Sequence, residues 1–501
     1  MGQPIKMAQS TNNTVQTFWV MVGSLSAFAF TIISSMILSR YFNKEDYGTY
    51  KQVMYVYSTF VIVFTLGLPK AYSFFLPRIP DNQAKDLINK INNVLLLSGA
   101  LMSIMLFVLS KPISVFLKND DLAIPLMYFS PVPFLMLPTM GLDGILSTYK
   151  KSFLIAIYNI ITRILMLCCV ALPVLIWKGG VKDAVLGFTV ASFISFLVAL
   201  YLKSYPVKQY TKERSDISYK KVFQYTLPIM FAGIWGTIIS STDQFFISRY
   251  FGSEVFADFA NGSLELPFVG MIISAGSVVL SPIYSKNSFN QDKDYKKETM
   301  RLWLSVFTKT VKLIYPVVVF FFCFADTIMM LLYGEKYHTS GIFFQIKLVV
   351  NFFTLISYGP LILSIGGEKY YYRVHLYGAL ILIALEAISV YTIKSAVAIT
   401  VISVICQIGR IMALLFFVAR YFKVDVMNLF PIKLILNLLI PSFLILLPLR
   451  YILTNYTSLD KVFILGISAV VYIVLMFLWT QYKKIDYYSI FKPLLHKFVE
   501  K

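Results

Sequence analysis

The chain has 501 residues, 58% hydrophobic and 14% charged, and its 45 Lys and Arg against 25 Asp and Glu give a net charge of +20. A soluble domain carries about 25% charged residues; with a mean hydropathy of +0.71 this chain has more apolar surface than a water-soluble core buries, so its solvent is a bilayer. Nucleic acid is excluded as the partner of the positive charge, because the basic residues are spread over connectors between apolar runs.

Crossing about 30 Å of hydrocarbon takes roughly 20 apolar residues per helix. The pattern predicts an all-α integral membrane protein with about fourteen spans, at 15–38, 48–68, 92–110, 122–140, 153–176, 184–202, 222–242, 255–282, 303–325, 340–365, 371–391, 395–419, 430–449 and 462–481. The least sharply marked divisions fall at 255–282 and 340–391. Met1 to Thr14 is polar with a single Lys6, and no A-x-A pattern follows the first apolar run, so that run reads as a retained helix rather than a secretory signal.

The first span leads into "SRYFNKEDYGTY", Ser39 to Tyr50, and the seventh into "SRYFGSEVFADF", Ser248 to Phe259. The offset is 209 positions. "TIISS" also recurs, at Thr31–Ser35 and Thr237–Ser241, with an offset of 206. A repeat sets the architecture. The reading is one six-helix lobe within 1–202, a polar cytoplasmic connector 203–221 containing Pro206, and a second six-helix lobe at 222–419. Helices 13 and 14 with a cytoplasmic tail, 420–501, stand outside the repeat. Six is even, so the two lobes run parallel, the arrangement of rocking transporters. Pro131, Pro133 and Pro138, then Pro228, Pro267 and Pro316, fall inside spans and mark bends that neighbouring helices tolerate.

Starting in the cytoplasm, and counting Arg373 and Lys433 at the inner ends of their spans with the adjoining connectors, the alternation places 28 Lys and Arg in cytoplasmic segments and 11 in outer ones. This bias supports an even number of crossings with both termini inside. The four cysteines, Cys168, Cys169, Cys323 and Cys406, lie inside spans and read as small packing residues without metal spacing. No phosphate-cradling Gly-rich loop, zinc-hydrolase motif or nucleophile–base pair is present in the sequence. The chain reads as a non-enzyme without cofactor or metal, whose energy comes from an ion gradient, the membrane potential or consumption of the cargo.

Ser39 to Arg78, "SRYFNKEDYGTYKQVMYVYSTFVIVFTLGLPKAYSFFLPR", resembles the N-terminal signature of polysaccharide-biosynthesis flippases. These are the Wzx-type members of the multidrug/oligosaccharidyl-lipid/polysaccharide superfamily. Ala325 to Ile346, "ADTIMMLLYGEKYHTSGIFFQI", is similar to that family's outer loop before helix 10, and Ile362 to Ile381, "ILSIGGEKYYYRVHLYGALI", to its connection into helix 11. Asn43 departs from the glycine common at its position, whereas the second copy has Gly252. The resemblance implies a bacterial cytoplasmic-membrane flippase. Its cargo would be an undecaprenyl-pyrophosphate-linked oligosaccharide destined for O-antigen, capsule or other exopolysaccharide. Its partners would be that lipid, the surrounding membrane lipids, and the polymerase and glycosyltransferases of the same pathway.

Charges inside spans are costly and usually face a cavity. The basic ones are Lys51, Arg163, Lys309, Lys312, Lys347 and Arg410, with Arg40, Arg249 and Arg373 near span ends. A cationic cavity suits a pyrophosphate, and Arg40, Lys51, Arg163, Arg249, Lys309, Lys312, Lys347 and Arg410 are its candidate residues. Arg40, Lys51 and Arg249 also stand close enough to an interface to snorkel, and Lys309 and Lys312 to face cytoplasmic water. Among the acids Asp143, Asp243, Glu265, Asp326 and Glu386, Glu265 is the candidate charge partner or coupling site. Tyr158 and Tyr358 could stack on sugars but fit ordinary packing better. The sequons at Asn261 and Asn455 carry no weight. A cation-coupled multidrug exporter of the same superfamily is the alternative, but 15–38 lacks the acid typical of that branch. A polymerase or ligase would need a large outer loop, which the sequence lacks.

Overall fold

The computed structural model describes residues 8–211, 213–289 and 295–488. Met1 and Lys501, whose side of the membrane the charge bias addresses, lie outside them, as do Lys212 and part of the basic loop before helix 9. The described residues form helices α1 (Ala8–Tyr41), α2 (Lys44–Phe64), α3 (Pro69–Phe75), α4 (Asp81–Leu117), α5 (Ala123–Phe129), α6 (Val132–Met136), α7 (Leu142–Thr148), α8 (Ser152–Trp177), α9 (Val181–Ser204) and α10 (Tyr219–Gly262). There follow α11 (Pro267–Phe289), α12 (Tyr295–Cys323), α13 (Ala325–Tyr333), α14 (Ser340–Leu348), α15 (Gly359–Ser364), α16 (Glu368–Thr392), α17 (Ala396–Phe422), α18 (Ile432–Tyr456) and α19 (Lys461–Tyr482). Helix is the expected solution, because hydrocarbon offers backbone N–H and C=O groups no other partner.

Among the described residues, twelve helical segments are long and apolar enough to cross a membrane, and two shorter apolar ones, Pro267–Ser277 and Ser340–Phe352, fall in the eighth and tenth expected spans. These two differ from plain rods. The eighth is interrupted by Ser263–Leu266, which is not helical, and the tenth breaks after Phe352 and resumes at Gly359. The fourth span is likewise assembled from α5, α6 and α7. Proline explains the fourth and eighth: Pro131 and Pro138 open short turns of tighter or restarted helix, and Pro267 starts α11.

The chain divides into two compact units, Met1–Ala257 and Asp258–Lys501. In the first, α8 packs on α1 and α9, and α4 on α5 and α6. A cluster at one end joins Leu68, Tyr72 and Phe75 to Leu87, Ile91, Val207 and Val222. The connector is strapped to the start of α4 rather than hanging free. Asp86 accepts from Ser215 N at 2.9 Å and binds Lys90 at 2.8 Å, Lys90 donates to Ser215 O at 3.1 Å, and Glu213 N donates to Asn82 O at 3.0 Å.

In the second unit α12 packs on α11 and α18, α16 on α17, and α18 on α19. Helices α18 and α19, the last two spans, are bound into this unit by polar ties. Arg450 pairs with Asp326 at 2.6 Å, Lys461 pairs with Glu335, and Tyr472 donates to Pro316 O at 3.0 Å.

Among the described residues, six of the seven non-glycine residues with positive φ are lysines: Lys118, Lys150, Lys178, Lys394, Lys423 and Lys484. Lys118, Lys178 and Lys423 cap the C-termini of α4, α8 and α17 in the left-handed conformation. Glycine is the usual residue there. Lysine carries the steric cost but places a cation against the helix's negative end and reaches toward the interface.

Candidate functional site

Arg163 lies midway along α8 and is exposed on the first unit, close enough to the Tyr158 phenol for electrostatic interaction. Tyr158 in turn donates to Ser195 O on α9 at 3.3 Å. In the second unit Arg410 lies midway along α17, its stem against Gly378 of α16, where an added Cβ would be 3.6 Å from Arg410 Cδ. Tyr371 and His375, on the same face of α16, are within electrostatic reach of this guanidinium. Their rings are 4.2 Å apart, and His375 Nδ1 is 2.9 Å from Tyr371 O. His375 Nε2 makes no hydrogen bond with a described residue. Sequence reading missed both residues. The available signal was one of only three histidines standing inside an apolar run.

Among the described residues, neither Arg163 nor Arg410 makes an ion pair or hydrogen bond with another residue. Their neighbours are neutral phenols and, for Arg410, an imidazole. Among the described residues, none takes up the forked donor set of either guanidinium.

The other candidates are dispersed. Lys51 donates to Ser35 Oγ at 3.0 Å and sits 5.1 Å from the Tyr47 ring. Arg40 is exposed in the last turn of α1. Arg249 lies on the Phe116 ring at 4.5 Å and near Tyr250 at 5.5 Å. In the second unit Lys347 is 5.4 Å from the Phe259 ring. Helix α12 begins at Tyr295 rather than at 303, so Lys309 and Lys312 stand well inside it. Lys309 is exposed, whereas Lys312 donates to Asp486 O and lies 5.9 Å from the Tyr487 ring. Burial pushes the Tyr487 phenol up to about 12, and it donates to Lys312 O at 3.1 Å. Lys312 therefore meets the segment after α19. Glu265 is exposed in the non-helical break before α11 rather than inside a helix.

Asp326 is held by Arg450, and Asp243 and Glu386 are buried. One basic residue counted with the connector is folded inward. Lys203, in the last turn of α9, is 2% exposed. Its ammonium meets Met140 O at 2.7 Å, Tyr72 Oη at 3.3 Å and Asn92 Oδ1 at 3.4 Å, three acceptors for three donors.

An apolar groove of about 360 Å³ runs between α12 and α19, lined by Pro316, Phe320, Tyr472, Ile473, Met476 and Phe477 among others.

The sequence profile of the polysaccharide biosynthesis protein family matches residues 37–341, and the chain belongs to that family. No curated protein matches it by sequence. Among solved structures it is similar to the lipid II flippase MurJ in an inward closed conformation. That match has 16% identity and a TM-score of 0.67, and covers 92% of this chain and 98% of MurJ. It is also similar to an inward-facing multidrug resistance MATE family transporter of the MOP superfamily (12% identity, TM-score 0.64, 81% and 98% covered). A variant of the Vibrio cholerae MATE transporter VcmN aligns at 14% identity with a TM-score of 0.55 over 83% and 98%. The fold is that of the MOP-superfamily transporters, and the protein is a multi-pass membrane protein.

Proposed function

We propose that the protein carries a polyprenyl-pyrophosphate-linked oligosaccharide, on an undecaprenyl carrier, from the cytoplasmic to the outer leaflet of the bacterial cytoplasmic membrane. The observation that carries this reading is the pair of mid-span guanidiniums, Arg163 and Arg410, neither neutralised by a described residue. A lipid-facing Arg without a counterion is costly, so an anionic cargo is the economical explanation. A pyrophosphate offers the oxygens that a forked donor set binds best. The family supplies the saccharide, and the groove on α12 and α19 suits a polyisoprenoid chain. Two six-helix lobes, 1–202 and 222–419, would alternate access around the charged groups, with 203–221 as connector and 420–501 as an appendix. The cargo would serve O-antigen, capsule or exopolysaccharide assembly beside a polymerase and glycosyltransferases.

Deleting the gene in a strain with no second flippase should strand lipid-linked oligosaccharide on the cytoplasmic leaflet and deplete the surface glycan. Expression from a plasmid should restore it. Normal surface glycan in the deletion strain overturns the reading.

A further inference from the structure

Proline removes a backbone donor, and in the second unit two phenols stand beside the place where it does so. Pro316 lies inside α12. Without an N–H it returns no helical bond to the carbonyl of Lys312, four residues earlier. Tyr487 Oη donates to that carbonyl at 3.1 Å. The carbonyl of Pro316 itself accepts from Tyr472 Oη at 3.0 Å. Tyr472 belongs to α19, and Tyr487 to the segment that follows it.

The chain reaches α12 by turning back at the end of α19. Lys484 takes a φ of 51°. Around it Lys484 N donates to Gln481 O at 3.1 Å and Ile485 N to Thr480 O at 2.8 Å, the bond pair of a Schellman turn. The Lys312 ammonium then donates to Asp486 O. Lys312 thus holds the returning segment twice, once as donor and once as acceptor. Thr480 and Tyr487 stand at the end of the apolar groove where α19 finishes, beyond the walls made by Phe320, Ile473 and Met476.

We propose that the segment 485–487 is a releasable strap that closes this end of the groove, and that its release admits the cargo's polyisoprenoid chain, a step that rests on the groove's assignment to that chain. The anchorage suits a strap. In hydrocarbon an orphaned carbonyl is costly, so Lys312 O favours the closed position. Burial pushes the Tyr487 phenol up to about 12, which keeps it a donor at physiological pH. Opening is also within reach, because Asp486 is exposed and the two bonds that hold the segment trade for water at little net change. The Lys312 ammonium holds a neutral carbonyl oxygen. A lipid phosphate arriving at the groove outcompetes that oxygen, because a charge-assisted hydrogen bond is roughly twice as strong as a neutral one.

The test uses the full-length protein in detergent and reads two rates. For the first, the native cysteines are replaced and Thr480→Cys places a thiol beneath the strap, whose reaction with a maleimide is timed. For the second, with Thr480 retained, undecaprenyl phosphate carrying a diazirine on its chain is photo-crosslinked and the adducts are mapped to α12 and α19 by mass spectrometry. Tyr487→Phe keeps the ring and loses the donor. It should raise both rates about three- to tenfold, the size expected for one hydrogen bond, and Tyr487→Ala should raise them further. Pro316→Ala returns an N–H to Lys312 O and loosens the strap without touching it. It should raise both rates by itself and add little to Tyr487→Phe when the two are combined, since both act on one bond. Thermal stability measured alongside identifies an unfolded variant. Should Tyr487→Ala be one, Tyr487→Phe and Pro316→Ala decide. Unchanged rates in folded Tyr487→Phe and Pro316→Ala proteins overturn the strap. Faster maleimide labelling with no crosslink in any variant upholds the strap and overturns the groove's assignment to the polyisoprenoid chain.

Discussion

At the scale of single residues, Arg163 and Arg410 differ from Arg249, Lys51 and Lys312 in their company. Arg249 has aromatic faces, Lys51 a serine hydroxyl, and Lys312 a backbone carbonyl. Among the described residues, the two mid-span arginines make no ion pair, and the groups within electrostatic reach are the Tyr158 phenol for Arg163 and Tyr371 and His375 for Arg410. If they hold a pyrophosphate, Arg163→Gln or Arg410→Gln should lower glycan export about ten- to a hundredfold. That corresponds to a charged hydrogen bond worth about 1.5–3 kcal/mol. Membrane abundance should stay near normal. The Lys variants should recover part of the export, because charge returns without the fork. Export assayed beside abundance separates this from a structural role, in which both would fall together. Normal export by both Gln variants would move the cargo's phosphates elsewhere. The candidate site was legible in the sequence to this extent: an arginine deep in an apolar run is visible as such. Its neighbours Tyr371 and His375 were not, because they belong to a different span and meet Arg410 only through the packing of α16 on α17.

At the scale of elements, the helix ends carry an unusual device. Left-handed backbone costs an L-residue roughly 1–2 kcal/mol, and α4, α8 and α17 accept it with lysine. Lys423→Gly should relieve most of that strain, and thermal unfolding in detergent should show a gain of up to about 1 kcal/mol. Lys423→Val should instead lose stability, since a β-branched residue resists positive φ. Equal stabilities for the two variants would mean that the end of α17 reshapes freely. The broken spans belong to this scale too. Hydropathy places a span at 340–365, because averaging over 20 residues ignores where the backbone breaks. The interruption after Phe352 depends on local geometry: Tyr315, from α12, donates to Phe352 O at 2.6 Å, replacing a helical bond that the break removes.

At the scale of the whole molecule, the basic residues give a topology that is checked directly. A reporter active only outside the cytoplasm, fused after Lys501, should stay silent, and the same reporter placed in the segment after α8 at Lys178 should be active. A strong outside signal from the C-terminal fusion would overturn the even count. Length, composition and the repeated phrase were enough to determine an all-helical membrane protein of about fourteen apolar segments. Those properties follow from how much apolar chain a bilayer must cover and from backbone groups that only a helix satisfies. Tertiary structure decided the rest. It folded Lys203 inward among neutral acceptors, sent Lys312 to the segment after α19 and left Glu265 in an exposed break. It also joined Gln52 to Ser248 across 196 positions of sequence. Such pairings depend on which helix faces meet, and hydrophobic periodicity is nearly silent on that when every face of a span is apolar.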